Sequence, residues 1–203
     1  MKENVAIICF TGRGCATASR IREILGKGSV WIKMKADRSF RDVQPLEEKL
    51  SVWTGKRFKD SDLIIFSPGS LYTSILPHLI AKDIVTALEK AKAPIMYVSN
   101  LVTQPGETDG YNVSDHLEIL NKYLGKRKVD LVVSNHAEID EKVAAKYLQT
   151  ENKTLVRLDR EKIEPMGAKI IEDDIFSIEN GKIRHDAMKT AFLIFSSLMR
   201  SEY

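Results

Sequence analysis

The feature that most limits how this chain can fold is a repeated alternation of short apolar runs with longer segments of helical periodicity. Mostly apolar runs of four to six residues occur at residues 5–10, 63–66, 94–98 and 131–134. Each run precedes a stretch with apolar residues three and four apart, which is the helical pattern. Strands that are apolar on both faces are typical of a parallel sheet covered by helices. The sequence therefore predicts an α/β fold, a Rossmann-like three-layer α/β/α sandwich with a mostly parallel sheet.

Weaker patterns complete the predicted order of elements, which we place in a single domain over residues 1–203. Further strands are predicted at residues 29–34, 154–158 and 169–171. The predicted helices lie at about 15–25, after Pro45, from 71 or 74 to 90 with an interruption or restart near Pro77, at 114–125, at 139–148 and at 187–199.

Composition and charge exclude several classes of function. Hydrophobic residues make up 43% and charged residues 29% of the 203 residues, the balance of an ordinary folded domain. No apolar run approaches the roughly 20 residues that cross a bilayer, so no membrane partner is expected. The net charge of +3 is too small to predict binding to nucleic acid. The first residues lack the pattern of a signal peptide, which predicts a cytoplasmic protein.

A loop rich in hydroxyl groups directly follows the run at residues 63–66. In open parallel sheets, ligands bind where loops leave the carboxyl ends of the strands. A glycine there lets the backbone approach a ligand, and hydroxyls at the start of a helix suit phosphate. The alternative interpretation is an ordinary strand-to-helix turn with a serine cap, and spacing alone does not separate the two. The candidate ligand-binding residues of this loop are Gly69, Ser70, Leu71, Tyr72, Thr73 and Ser74.

A second polar loop, residues 100–111, follows the run at 94–98. Its amides, hydroxyls and carboxylates suit a polar ligand or a metal-bound diphosphate. The alternative is a solvated turn, because Pro-Gly and Asp-Gly are common turn dipeptides. The candidate ligand-binding residues are Asn100, Gln104, Thr108 and Asp109, with His116 in the first turn of the next helix, and Glu107 and Asp109 are the candidate ligands for Mg²⁺.

A third segment, Thr11-Gly12-Arg13-Gly14, is only a fragment of a phosphate-binding loop. It lacks the G-x-G-x-x-G spacing and the lysine and serine of a P-loop. A structural turn is therefore the favoured interpretation, with Arg13 as a candidate anion contact. No Ser-His-Asp or Cys-His set can be assigned from spacing, so no catalytic residue is predicted.

The two polar loops carry a resemblance to a known family. The segments are residues 67–77, residues 93–94 with 100–111, Asp115-His116 and Ile183-Arg184-His185-Asp186. From residue 63 to about 199 the chain resembles the gluconeogenesis-factor (YvcK-like) family, in the superfamily of the 2-phospho-L-lactate transferase. The resemblance implies a Rossmann-like fold that binds a nucleoside diphosphate or a nucleotide sugar, and a role in carbon metabolism, envelope synthesis and cell shape. In the transferase branch it also implies Mg²⁺-assisted transfer of a phospholactyl group.

The first 62 residues differ from that family. Its G-G-G-T-G loop and Asp-Asp-Gly-Gly stretch are absent, whereas residues 7–11 with Gly14, and 45–47 with Leu50, Trp53 and Phe58, resemble the N-terminal domain of the cobalamin-biosynthesis protein CbiG. Residues 1–62 hold 13 Lys and Arg against 8 Asp and Glu, while the remainder hold 18 against 20. We therefore predict a composite chain with its joint near the third strand, whose exposed edges would favour a homodimer.

These resemblances leave several functions open. The leading prediction is a regulatory protein that binds a nucleotide sugar or nucleoside diphosphate without turnover, because half of the family's phosphate machinery is missing. The alternatives are a Mg²⁺-dependent enzyme like the phospholactyl transferase, a protein related to the cobalt-precorrin hydrolase of cobalamin biosynthesis, and a folded but inactive hybrid.

Overall fold

The computed structural model describes residues 4–8, 29–33 and 58–200 of the 203. The predictions for the intervening segments lie outside the described residues. They include the helix at 15–25, the turn that contains Arg13 and the helix after Pro45.

Six strands of the described chain form one parallel sheet. Their order is β2-β1-β3-β4-β5-β6, and every neighbouring pair runs in the same direction. The chain adds β2 on one side of β1 and β3 on the other, so the strand order reverses between β1 and β3. Ligands of such sheets bind at the carboxyl ends of the strands near that reversal. The strands are β1 (Asn4–Ile8), β2 (Ser29–Lys33), β3 (Leu63–Phe66), β4 (Ile95–Val98), β5 (Leu131–Asn135) and β6 (Lys169–Asp173).

Helices cover both faces of this sheet. Alternate residues of β3 enter different cores, since Ile64 packs in one buried cluster and Leu63 and Ile65 in the other. The first cluster lies under α1 (Leu76–Leu79), α2 (Lys82–Lys90), α3 (Val113–Tyr123) and α5 (Arg160–Ile163), and the second under α4 (Glu141–Glu151) and α6 (Ala187–Arg200). The predicted three-layer α/β/α sandwich is confirmed.

The helical segment after β3 has two breaks. A π-helical turn, Leu71–Ile75, gives way to α1, and Pro77 lies in the first turn of α1, where its missing N–H is not needed. The predicted restart near Pro77 is therefore confirmed. A second break, which the sequence did not predict, occurs at Ala81, whose backbone is extended before α2 begins.

The strand predicted at residues 154–158 is wrong. This segment makes only a single bridge, between Leu155 and Val102, and joins neither sheet of the described residues. The Thr103 N–H donates to the Thr154 carbonyl at 2.8 Å, and the Val156 N–H donates to the loop after β4. The segment therefore holds the second polar loop in place instead of extending the sheet.

An antiparallel hairpin is present where no strand was predicted. Its strands are β7 (Phe176–Glu179) and β8 (Lys182–His185), and they form a separate two-stranded sheet. Asn180 and Gly181 close the turn with φ of 51° and 69°. Two consecutive residues of positive φ are the requirement of a type I′ turn, which Asn-Gly meets best.

The guanidinium of Arg127 joins three parts of the fold. It donates to the Ala91 carbonyl at the end of α2, to the Ala93 carbonyl before β4 at 2.9 Å, and to Asp130 at 3.1 Å. Asp130 in turn accepts from the Ile95 N–H at 2.7 Å. Among the described residues, no helix has the length and apolar character needed to cross a membrane.

Candidate functional site

A cleft of about 620 Å³ opens at the carboxyl ends of β3 and β4. One side, which we call the loop wall, comes from the loops that follow these two strands. The other side, the hairpin wall, comes from β8 and the end of α4. The loop wall presents Pro68, Gly69, Ser70, Thr73, Ser74 and residues 100–104, and the hairpin wall presents Glu151, Lys153, Lys182, Ile183, Arg184 and His185.

Ser70 starts the π-helical turn on the loop wall. Its hydroxyl oxygen accepts from the Thr73 N–H at 3.1 Å. Its carbonyl accepts from the N–H groups of both Ser74 and Ile75, at 2.9 and 3.1 Å. This arrangement places the hydroxyl-bearing residues Thr73 and Ser74 in the first turn, beside the cleft.

Three side-chain hydrogen bonds join the two loops of the loop wall. The Gly69 N–H donates to Oδ1 of Asn100 at 3.2 Å. The Ser70 hydroxyl donates to the carboxylate of Glu107. The hydroxyls of Tyr72 and Tyr111 lie 3.1 Å apart, and this hydrogen bond, followed by burial, raises the pKa of Tyr72. The two loops are therefore held as one body.

Thr108 and Asp109 shape the second loop from within. The Gln104 N–H donates to the Thr108 hydroxyl at 2.9 Å, and Thr108 is fully buried. The Asp109 carboxylate accepts from the Gly106 N–H at 2.6 Å, at a position where φ is +77°. Both side chains close the turn that carries Gln104 to the cleft.

The hairpin wall is positively charged. It carries the cations Lys153, Lys182 and Arg184 against one carboxylate, Glu151. The ammonium of Lys182 lies 3.3 Å from Glu151, and that of Lys153 is also paired with it. Hydrogen bonds from Lys153 first and Lys182 second hold the pKa of Glu151 below its usual value. The wall therefore keeps an excess of positive charge beside the cleft.

The hairpin is attached to the rest of the protein by specific contacts. The Ile183 N–H donates to the buried hydroxyl of Tyr147 at 2.6 Å. His185 contacts the Ser99 carbonyl through Nε2 at 2.9 Å, so Nε2 carries a proton. The first contact ties the hairpin to α4, and the second ties it to the end of β4.

His116 is fully buried behind the loop wall and does not line the cleft. Its Nδ1 donates to the Asn112 carbonyl at 2.9 Å. Its ring stacks with that of Tyr97 at a centroid distance of 6.2 Å and meets the Tyr111 ring edge-on at 5.6 Å. Burial lowers the pKa of His116 and raises that of Tyr97.

The structure brings some of the predicted residues to the cleft and leaves others away from it. Gly69, Ser70, Thr73, Ser74, Asn100 and Gln104 line the cleft. Leu71, Tyr72, Glu107, Thr108, Asp109 and His116 do not, and Arg13 lies outside the described residues. Sequence reasoning missed Glu151, Lys153, Lys182 and the remainder of the hairpin wall. The Asn-Gly pair at 180–181 was the available signal, because it predicts a hairpin with flanking strands.

The candidate Mg²⁺ ligands Glu107 and Asp109 both accept hydrogen bonds within the protein. Glu107 accepts from the Ser70 hydroxyl, and Asp109 accepts from the Gly106 N–H. Within residues 58–200, no group of three or more His, Cys, Asp or Glu residues is placed to hold a metal ion. A role of Glu107 and Asp109 in holding Mg²⁺ stays a prediction.

Comparison with known proteins assigns the family. The family model described as 2-phospho-L-lactate transferase CofD matches residues 11–176. The chain belongs to the CofD family. The match takes in most of residues 1–62, and the comparisons give no evidence for a CbiG-like region or a chimera.

Proteins similar to this chain include gluconeogenesis factors. The gluconeogenesis factor of Bacillus subtilis is 38% identical over 156 residues, which are 77% of this chain and 47% of that protein. That of Listeria monocytogenes is 34% identical over 140 residues, 69% of this chain and 42% of that protein. A crystal structure of a UPF0052-family protein from Bacillus halodurans has a TM-score of 0.65 at 35% identity, over 70% of this chain and 45% of that one. The chain spans less than half the length of each of these relatives.

Proposed function

We propose that this CofD-family protein binds a nucleoside diphosphate or a nucleotide sugar in the cleft, as a regulatory protein of the gluconeogenesis-factor type. The observation that carries the proposal is the pairing of two unlike walls. Hydroxyl and amide groups of Thr73, Ser74 and Asn100 face a wall that holds three cations. Neutral donors with opposing cations are the groups that recognise phosphate oxygens.

The loop wall supplies donors of defined orientation. Oδ1 of Asn100 accepts from the Gly69 N–H, so the amide nitrogen is the end that remains for a ligand. That nitrogen only donates, and it therefore suits a phosphate oxygen or the carbonyl of a base. The Thr73 and Ser74 hydroxyls lie beside it on the same wall.

The hairpin wall supplies the charge. Its three cations exceed its single carboxylate by two, which suits the charge of a diphosphate. Lys182 and Arg184 both belong to β8, so a two-residue spacing places them on the same strand face.

We expect binding without phospholactyl transfer. The Gly-rich loop and the acidic pair of the transferase are absent from the sequence, and residues 58–200 do not bring carboxylates together to hold a metal ion. If the protein is an enzyme instead, phospholactyl transfer to an acceptor will be detectable with Mg²⁺ present.

Calorimetric titration of the full chain tests the proposal. The probes are uridine diphosphate, guanosine diphosphate and uridine diphosphate N-acetylglucosamine, each with and without Mg²⁺. We expect saturable binding of at least one probe, weakened in Thr73→Ala. Thr150→Ala is the matched control, because Thr150 is exposed on α4, donates to the Lys146 carbonyl and does not line the cleft. Absence of saturable binding below about 1 mM, a free energy of about −4 kcal/mol, would refute the proposal.

A further inference from the structure

The hydroxyl of Ser70 is already engaged on both sides, although Ser70 lines the cleft. Its proton is donated to Glu107, and its oxygen accepts from the Thr73 N–H at 3.1 Å. A serine hydroxyl has one proton to donate. Because that proton is used within the protein, Ser70 cannot also donate to a ligand while this arrangement holds.

The partner of Ser70 lies outside the cleft. Glu107 is half-buried in the loop after β4, 37 residues further along the chain, and it is absent from the cleft lining. Its contact with Ser70 therefore crosses from one loop of the loop wall to the other. A carboxylate that touched the ligand directly would repel a diphosphate. Here Glu107 accepts from the Ser70 hydroxyl and does not itself line the cleft.

We infer that Ser70 and Glu107 form a clasp that positions the loop wall, so that Ser70 acts through Glu107 and not as a hydrogen-bond donor to the ligand. The clasp fixes the start of the π-helical turn, which carries the Thr73 and Ser74 hydroxyls. It also fixes the loop whose first residue, Asn100, presents its amide. This inference deepens the proposed function and rests on it for its effect on binding.

The hydrogen bond between Tyr72 and Tyr111 supplies a control. The hydroxyls of Tyr72 and Tyr111 join the same two loops, but neither side chain lines the cleft. Tyr72→Phe removes a hydrogen bond between the loops without altering the clasp. Glu107→Gln removes the charge and keeps an oxygen that accepts from Ser70.

The test measures the dissociation constant of uridine diphosphate for Ser70→Ala, Glu107→Ala, their double variant, Glu107→Gln and Tyr72→Phe. We expect each alanine variant to bind about tenfold more weakly, which corresponds to one ordinary hydrogen bond. The double variant will bind less weakly than the sum of the two single effects predicts, because both substitutions remove the Ser70–Glu107 hydrogen bond, although Ser70→Ala also removes the acceptor of the Thr73 N–H. Glu107→Gln and Tyr72→Phe will stay within about threefold of the unsubstituted protein, a small effect on the same free-energy scale.

Two results would overturn the clasp. The first is fully additive weakening in the double variant, which means that Ser70 and Glu107 act separately. The second is a Glu107→Gln variant that binds as weakly as Glu107→Ala, or more tightly than the unsubstituted protein, because charge would then explain the effect.

A thermal-unfolding series on the same variants separates the clasp from the proposed function. We expect the losses in midpoint from Ser70→Ala and Glu107→Ala to be non-additive in the double variant, with Glu107→Gln close to the unsubstituted protein. This result together with no binding of any nucleotide would refute the proposed function and leave the clasp as a contact between the loops. Additive losses in midpoint would refute the clasp whatever the nucleotide result.

Discussion

The two walls of the cleft differ in how they are built and in what they offer. The loop wall follows two central strands of the main sheet, and side-chain hydrogen bonds join its loops to each other. The hairpin wall includes a two-stranded sheet that shares no ladder with the main one among the described residues. The first wall supplies neutral donors in fixed orientations, and the second supplies positive charge. If the cleft binds the proposed ligand, shape recognition and charge recognition will reside on separately supported elements.

The sharpest test of this division removes charge from the hairpin wall alone. Lys182→Ala with Arg184→Ala should weaken binding of uridine diphosphate about 100-fold or more, because each cation contributes one charge-assisted hydrogen bond. Calorimetric titrations at low and high salt measure the affinity. The affinity of the double variant should also depend less on salt than that of the unsubstituted protein. Lys162→Ala removes an exposed cation outside the cleft and serves as the control. An unchanged affinity in the double variant would end the assignment of charge recognition to the hairpin.

Substitutions of Asn100 separate the internal and external roles of the loop wall. Asn100→Ala should weaken binding about tenfold and lower the free energy of unfolding by about 1–3 kcal/mol, because the Gly69 N–H loses its partner. Asn100→Asp keeps the acceptor for Gly69 but replaces the donor with a carboxylate oxygen. The free energy of unfolding of Asn100→Asp should be close to that of the unsubstituted protein, whereas its binding of uridine diphosphate should be far weaker. Equal losses of stability in both variants would contradict this separation.

The attachment of the hairpin wall can be weakened without touching a cation. Tyr147→Phe removes the acceptor of the Ile183 N–H and should lower the free energy of unfolding by about 1 kcal/mol. It should also weaken nucleotide binding a few-fold, because β8 carries two of the cations. Urea unfolding and titration measure the two effects. Tyr123→Phe, at an exposed position of α3, is the control, and equal behaviour of the two variants would show that the Tyr147 contact does not support the wall.

The last prediction concerns the pH dependence of stability, which His116 beneath the loop wall should affect. Burial lowers the pKa of His116 from its ordinary value of 6.5, so the unfolded chain binds the proton more readily than the folded one. His116 should therefore reduce stability as the pH falls below about 6.5, by at most about 1.4 kcal/mol per unit. Urea unfolding at several pH values should show that the free energy of unfolding falls less steeply with decreasing pH in His116→Phe than in the unsubstituted protein. Parallel curves would exclude His116 as the cause.

The sequence was most informative where strands are buried on both faces. The run at residues 63–66 predicts β3 with its observed ends, because every one of its side chains is buried between two helical layers. Ligands bind at the carboxyl ends of parallel strands, and this rule predicts a ligand-binding loop after β3 and another after β4. Gly69 and Ser70 of the first loop and Asn100 of the second were predicted on that basis, and they lie together at the cleft.

The hairpin wall was harder to predict because its sequence carries little apolar signal. In β8 only Ile183 is fully buried, and its neighbours are charged, so the segment has the composition of a solvated loop. The segment at 154–158 produced the opposite error. Its backbone pairs with the loop after β4 and not with a strand of the sheet, and periodicity cannot distinguish these two partners.

His116 illustrates a limit of a different kind. Its position in the first turn of α3, just after the second loop, was correctly predicted, but the direction of its side chain was not. A position at the start of a helix near the cleft does not decide which way a side chain points. The imidazole of His116 packs against the rings of Tyr97 and Tyr111 in the core.

The contacts of Arg127 have a consequence for how the protein opens. One guanidinium binds the end of α2 and the approach to β4, and its partner Asp130 binds the first amide of β4. A local fluctuation that frees any one of these segments must break contacts to the others. Backbone amides of α2, β4 and the approach to β5 should therefore exchange with deuterium as one cooperative unit, while those of the β7–β8 hairpin exchange independently of it.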